Sequence, residues 1–220
     1  MFKQIKFGLS LVKYGFKLKS NIAMLVFFLI IGFIVEIGSK GTNLIGGVYF
    51  MLIGLFAFQL IMSLTLSNFI QTSPAKKRLQ ITIPTETSTL IYLVIFTLLL
   101  IERVILIRIY PELQDEICCT LFSTIIFLLI AIAYSGICYK YFIVATVIFV
   151  ALIFTLFPCF DFLYNNIIGN FDLNVRLLVI GIIGYVAIIL GGFIEYGIGC
   201  LLYKRPLSEF AFKGIMKNMK

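Results

Sequence analysis

The chain has 220 residues, of which 61% are hydrophobic and only 13% are charged, whereas a soluble domain carries about 25% charged residues. This composition excludes an ordinary soluble protein and predicts an all-α, polytopic membrane protein, because uncharged apolar stretches long enough to cross a bilayer recur along the chain. The net charge of +8 fits the basic excess of cytoplasmic loops better than nucleic-acid binding, and the absence of histidine excludes histidine-ligated metals, haem and serine–histidine catalysis.

Residues 1–20 precede the first apolar segment, and their pattern predicts an amphipathic helix that lies along the membrane surface. Four lysines share one arc of this helix: Lys3, Lys6, Lys13 and Lys17. Apolar residues occupy the neighbouring arc, so the lysines would face anionic lipid headgroups. Phe7, Leu11 and Leu18 interrupt the polar face and leave open a packing of this helix on protein.

Six apolar segments follow in a transmembrane domain at 21–203, which precedes a basic tail at 204–220. The predicted spans are about 22–37, 44–70, 88–110, 117–138, 141–157 and 175–203. Fourteen of the eighteen basic residues lie on one side of these spans, while Lys40, Arg103, Arg108 and Arg176 fall on the other. The excess of basic residues in cytoplasmic segments therefore predicts that both termini are cytoplasmic.

Two connections between the spans are long enough to hold structure. On the inner side, Pro74 and Pro84 bracket a short basic element at 74–84, because a residue before proline avoids the helical conformation. Pro84 is expected to break the chain, with Thr85 or Thr87 capping the third span. On the outer side, the segment 158–174 is rich in Phe, Leu and Ile, so we expect it to dip back into the edge of the bilayer.

Ionisable residues within a span are candidates for function, because each is costly to insert into a bilayer. Glu102 and Arg103 lie in the distal part of the third span, where they either form an ion pair or reach the interface. Glu195 lies deeper, in the sixth span, where we expect it to face the bundle interior and pair with a hydroxyl or stay protonated. Gly191 and Gly192 permit close packing of helices or, alternatively, a hinge.

Motif searches leave no catalytic constellation and predict that the chain is not an enzyme. It contains no G-x-x-x-x-G-K-[ST] phosphate-binding loop, no G-x-S-x-G and no H-E-x-x-H sequence. The five cysteines lack the spacing of metal ligands and are expected to pack as small apolar residues, although a disulfide between Cys159 and Cys118 or Cys119 stays open.

In the order and lengths of its elements, the chain resembles the permease subunits of exporter-class (type 2) ABC transporters. The similarity covers a basic amphipathic helix, six spans, a structured element between the second and third spans, and an apolar dipping segment between the fifth and sixth. QTSPAKKRLQITIP at 71–84 and CYKYF at 138–142 resemble the corresponding stretches of small bacterial members.

This resemblance implies a set of roles for the chain in a bacterial cytoplasmic membrane. Residues 74–84 would be the coupling helix that docks on a separate ATPase subunit, 2–18 the connecting helix, and 158–174 the outer re-entrant segment. The residues implied to contact the ATPase are Lys76, Lys77, Arg78, Leu79 and Ile81. ATP and Mg²⁺ would bind to the ATPase, and this chain itself would bind no cofactor. A second permease protomer, in a homodimer or a paired permease, would complete a path for a hydrophobic or amphipathic peptide, drug or lipid.

Two other classes of function remain open. An ATP-independent channel or secondary transporter would need polar groups near the middle of the membrane, and only Glu195 approaches that depth. Whatever the class of function, the candidates for a substrate path or gate are Glu195, Gly191, Gly192, Glu102 and Arg103. A non-transporting membrane scaffold or immunity protein is the other alternative.

Overall fold

The computed structural model describes residues 6–7, 10, 18–65, 74, 76–138 and 140–203, and within these ranges the chain is helical and forms no strand. Seven α-helices are named here in chain order. They are α1 (Leu18–Gly38), α2 (Leu44–Thr65), α3 (Ile83–Ile109), α4 (Gln114–Cys138), α5 (Phe142–Leu156), α6 (Phe160–Ile167) and α7 (Leu173–Leu202). Short 3₁₀ turns at Pro111–Leu113 and Phe157–Cys159 precede α4 and α6.

Most of these helices are long enough to cross a membrane. Five continuous helical stretches in the described part of the chain are long and apolar enough to cross a membrane, and α2 adds a shorter apolar stretch at Leu44–Phe58. A helix satisfies its own backbone hydrogen bonds, which is the requirement for crossing hydrocarbon. The all-helical fold, with about five to six apolar helices that could span a membrane, is therefore confirmed for the described part of the chain. Of the predicted surface helix at 1–20, the described residues are Lys6, Phe7, Ser10 and the residues 18–20, which belong to α1, whereas Lys3, Lys13, Lys17 and the tail at 204–220 lie outside the described residues.

Contacts between segments that are distant in the chain define two ends of the bundle, and these ends differ in charge. One end, called the acidic end below, gathers the following carboxylates: Glu112, Asp115, Glu116, Asp161 and Asp172. The opposite end, called the basic end, gathers the following cations: Lys76, Lys77, Arg78 and Lys140. A tight turn at the acidic end joins α1 to α2, and its Lys40 and Gly41 adopt positive φ angles of 54° and 77°.

The core lies between α2, α3, α4 and α7. Of the most apolar stretch of α4, 67% is buried, against 11% for α1 and for the stretch that contains α5. Tyr92 of α3, Leu121 and Leu128 of α4, and Ile188 of α7 are among the fully buried side chains of this core. α1 packs on α2 and α5 packs on α4, so these two helices keep wide apolar faces exposed, as helices in contact with lipid do.

The predicted break at Pro84 is wrong, because the helix runs without interruption from Lys76 to Ile109. Arg78–Thr82 forms one wide π-helical turn, in which the N–H of Ile83 donates to the carbonyl of Arg78. Such a turn accommodates a proline, whose ring would clash with a carbonyl in an α-helix and which offers no N–H. The expected caps are also wrong, since the Thr87 hydroxyl donates to the Ile83 carbonyl at 2.7 Å within the helix.

The predicted outer segment 158–174 is largely helical and folds back on the bundle. Phe160, Tyr164 and Ile168 are buried at the spacing of one helical face, while Phe162 and Ile167 are exposed on the other. All five cysteines are free thiols, and the disulfide left open by the sequence is not formed.

Candidate functional site

A buried ion pair joins α1 to α3 near the acidic end. Nη2 of Arg103 donates to Oε1 of Glu36 at 2.7 Å, and both side chains are 0% exposed. Nη1 of Arg103 also donates to the carbonyl of Gly41 in the α1–α2 turn. A Cβ at Gly41 would collide with the guanidinium, so the glycine is required both for its positive φ and for this close approach. Arg103 thus fastens the turn to the third span.

Glu102 adds a second carboxylate next to this pair. Its Oε1 and Oε2 are buried and have no hydrogen-bond partner in the described part of the chain, and the same holds for Oε2 of Glu36 and Nε of Arg103. The sequence suggested that Arg103 would reach the interface or pair within the bundle. It pairs within the bundle, and its hydrogen-bonded partner is Glu36, which the sequence position alone had not marked as functional.

Glu195 of α7 faces the bundle interior and is hydrogen-bonded to a hydroxyl, as expected from the sequence. It is 2% exposed, and Oγ of Ser88 lies 3.2 and 3.1 Å from its two carboxylate oxygens. The ion pairs found among the described residues do not include Glu195, and Ser88, to which it is hydrogen-bonded, is a neutral residue. A buried carboxylate with this partner is an unusual feature within a membrane-spanning helix.

The space beside Glu195 is small. A cavity of about 10 Å³, roughly the room for one water molecule, is lined by Glu195, Thr85, Gln80 and neighbouring residues. A larger groove of about 590 Å³ lies between α3 and α7, with Glu86, Thr89, Phe193 and Tyr196 among its lining. Thr85 lines both spaces.

The candidate glycines of α7 lie at close contacts with neighbouring helices. A Cβ at Gly191 would lie 2.9 Å from Ile132 of α4, and one at Gly192 would lie 2.5 Å from Oγ1 of Thr89 on α3. Small residues at such positions let helices in a membrane approach closely. α7 is continuous through this region, from Leu173 to Leu202.

The basic end joins the start of α3 to the end of α7. Nζ of Lys76 lies 5.8 Å from the centre of the Tyr203 ring, at a distance typical of a cation–π contact. Lys77 and Arg78 are exposed, and Leu79 is half-buried. Ile81 is buried against the bundle at 2% exposure, with Gly199 of α7 beside it, and so does not belong to the exposed surface at this end.

Lys140, in the turn between α4 and α5, holds the last turn of α7. Its ammonium donates to the carbonyl of Leu202 and, at 2.9 Å, to that of Tyr203, where a cation is favoured by the helix dipole. Burial, together with the nearby charge of Lys76, lowers the pKa of Lys140 to about 8. In the sequence, Lys140 counts only toward the basic excess that predicts orientation, because nothing local indicates which helix end a lysine will reach.

At the acidic end, Arg176 of α7 fixes the segment that contains α6. Its guanidinium donates to the carbonyls of Gly169 at 2.7 Å and Phe171 at 2.8 Å, and it forms an ion pair with Asp115 of α4. The hydroxyl of Tyr164 donates to the same Asp115 oxygen at 2.8 Å. Sequence reasoning missed this cluster, whose members come from three separate segments of the chain.

Comparison with protein-family models, with curated proteins and with solved structures finds no match to this chain.

Proposed function

We propose that the chain is the permease subunit of an ATP-driven exporter of the type 2 ABC class, in a bacterial cytoplasmic membrane. The observation that carries the proposal is the basic end, where an exposed cationic element is continuous with a membrane-spanning helix. An ATPase subunit docked on Lys77 and Arg78 would act directly on α3, because the helix runs on from this element to Ile109 without a flexible joint.

The contacts at the basic end also couple α3 to α7. Lys76 lies over Tyr203, while Lys140 binds the last carbonyls of α7. A displacement of the basic element would therefore be transmitted to both walls of the 590 Å³ groove between these helices. The groove has an apolar lining with hydroxyl groups and one carboxylate, which suits a hydrophobic or amphipathic substrate.

The remaining parts of the proposal follow from this role. The basic end would face the cytoplasm, in keeping with the charge difference between the two ends of the bundle. ATP and Mg²⁺ would be held by the partner ATPase, because the sequence carries no phosphate-binding loop. A second permease protomer, identical or paired, would use the exposed apolar faces of α1 and α5 or of α7 to complete the pathway.

The experiment is purification of the tagged chain from its native cells, followed by identification of co-purified polypeptides and measurement of ATP hydrolysis. The triple variant Lys76→Glu, Lys77→Glu, Arg78→Glu is expected to lose the ATPase subunit while keeping expression and topology. A matched control reverses the exposed Glu112 and Glu116 at the acidic end to lysine and should keep the ATPase. Normal co-purification and coupling by the triple variant would refute the proposal.

A second candidate function is ion-coupled transport without ATP, and Glu195 is the observation that favours it. A buried carboxylate whose hydrogen-bond partner is the neutral Ser88 is a feature of proton-coupled sites in membranes. Reconstituted chain without any ATPase would then move substrate when a proton gradient is imposed. Under the ABC proposal the same vesicles show no transport.

A further inference from the structure

An open pocket of about 410 Å³ lies at the acidic end, on the opposite side of the bundle from the basic element. It is bounded by the α1–α2 turn, by the first turns of α4 and by the segment that leads into α6. Its lining residues with polar side chains are Ser39, Thr42, Asn43, Cys119, Thr120, Ser123 and Asp161. None of these residues takes part in the role proposed above.

The hydroxyl groups of this lining have already used their hydrogens. Ser39 donates to the carbonyl of Val35 at 2.7 Å, Thr42 to that of Ser39 at 2.8 Å, and Ser123 to that of Cys119 at 2.9 Å. The Thr120 hydroxyl is likewise 2.9 Å from the carbonyls of Gly41 and Ile117. Because a hydroxyl has one hydrogen and two lone pairs, these groups can offer a ligand only acceptors.

Asp161 gives the pocket a negative charge. Its Oδ1 accepts the thiol hydrogen of Cys119 at 3.4 Å, and the ion pairs among the described residues do not include it. Three cations at this end have partners outside the pocket, since Lys40 lies 4.8 Å from the centre of the Tyr110 ring, Arg176 is paired with Asp115 and Arg103 is paired with Glu36.

The pocket also has an aromatic rim. Phe157 is 59% exposed, and its ring is 5.9 Å from that of Phe160, centre to centre. A cation over an aromatic face is attracted by the ring quadrupole. Hydroxyl acceptors, one carboxylate and an aromatic rim together select a ligand that is positively charged and carries hydrogen-bond donors.

We propose that this pocket binds the primary ammonium group of a ligand that enters from the acidic end. An ammonium group has three donors and no acceptor, which matches a lining with four hydroxyl acceptors and one carboxylate against one amide donor group, that of Asn43. The site is independent of ATP coupling, so it stands or falls separately from the proposed function. The ammonium group can come from a soluble amine or from an aminophospholipid headgroup, and the experiment below distinguishes these sources.

The first test uses the charge selectivity of thiol modification at Cys119, which lines the pocket. A variant that keeps Cys119 and carries alanine at the other four cysteines is placed in phosphatidylcholine nanodiscs. The rate of Cys119 modification is measured with a cationic reagent, aminoethyl methanethiosulfonate, and with an anionic one, sulfonatoethyl methanethiosulfonate. Each rate is divided by the rate at which the same reagent reacts with 2-mercaptoethanol in solution, which corrects for its intrinsic reactivity. The cationic reagent is expected to be favoured about 10-fold or more, from the attraction of one charge and repulsion of the other near Asp161.

Asp161→Asn should bring this preference down to about 3-fold or less, while Asp172→Asn, at an exposed carboxylate outside the pocket, should leave it unchanged. A preference near 1 in the parent variant, or one that Asp161→Asn does not change, overturns the proposal. A second measurement avoids the cysteine substitutions: saturation-transfer NMR with propylamine should detect contact with the unmodified protein and lose it in Asp161→Asn. Equal signals from both proteins also overturn it.

The dependence of the Cys119 modification rate on the lipid then distinguishes the two sources of the ammonium group. Slower modification of Cys119 in phosphatidylethanolamine nanodiscs than in phosphatidylcholine nanodiscs assigns the site to an aminophospholipid headgroup. Equal rates in the two lipids, with protection by added propylamine, assign it to soluble amines. If Cys119 shows neither protection by propylamine nor a difference between the two lipids, the proposal is contradicted.

Discussion

Replacing Arg103 by glutamine is expected to destabilise the folded protein strongly, because the change leaves the Glu36 carboxylate buried without its cation. The substitution removes the 2.7 Å ion pair and the hydrogen bond that Arg103 donates to the carbonyl of Gly41. The adjacent Glu102 carboxylate, whose oxygens are also buried, loses the same positive neighbour. Three groups at the acidic end therefore lose stabilisation from a single change.

Breaking a buried ion pair by removing one partner costs about 3–5 kcal/mol. In a protein of this size each 1 kcal/mol lowers the midpoint of thermal unfolding by about 2–4 °C, so the expected shift is about 6–20 °C. The double variant Glu36→Gln, Arg103→Gln removes both charges of the pair. In this double variant Arg103→Gln should destabilise the protein by up to about 3 kcal/mol less than it does alone, because residue 36 no longer carries a buried negative charge.

The assay is thermal unfolding in detergent followed with a thiol-reactive fluorophore. Cys118 and Cys138 are buried, so they react when the bundle opens. Arg108→Gln, an exposed arginine five residues further along the same helix, is the matched control and should shift the unfolding free energy by no more than about 0.5 kcal/mol. If the Arg103→Gln variant unfolds at the same midpoint temperature as the Arg108→Gln control, the role assigned to the buried pair is refuted.

Two further predictions concern the buried carboxylate and the basic end. Glu195→Gln keeps an acceptor for the Ser88 hydroxyl, so expression is expected to be unchanged while transport is altered, and an equal loss of both in a transport assay would indicate a packing role instead. The stability of the protein is expected to rise between about pH 8 and pH 10.5, because over this window Lys140 is largely protonated only in the unfolded state. Lys140→Met should remove this rise in denaturation measured against pH, and a rise of equal size in both proteins would contradict the assignment.

The positions of the spans could be predicted from the sequence because each apolar segment is bounded by charges, prolines or turn residues. The fifth span, for example, was expected at about 141–157 and is Phe142–Leu156, and the sixth was expected at about 175–203 and is Leu173–Leu202. The inward direction of Glu195 was also predictable, since a carboxylate in an apolar helix is costly against lipid.

The contacts between distant segments could not be predicted in the same way. Arg103 is adjacent to Glu102 in sequence, yet its hydrogen-bonded partner is Glu36, 67 residues earlier in the chain. The continuity of the helix through Pro84 was missed because a π-helical turn has no local sequence signature and the rule for residues before proline indicated a break. Partner choice and such turns are decided by packing between helices, which a single sequence does not specify.

The identity of the polypeptide that contacts the basic end in living cells tests the proposed function most directly. A photo-cross-linking amino acid placed at Lys77 is predicted to give a covalent adduct with a polypeptide that contains a phosphate-binding loop, identified by mass spectrometry. The same amino acid at Glu112, exposed at the acidic end, is predicted to give no such adduct. Absence of the adduct at Lys77, or equal adducts at both positions, would contradict the claim that the basic end docks an ATPase.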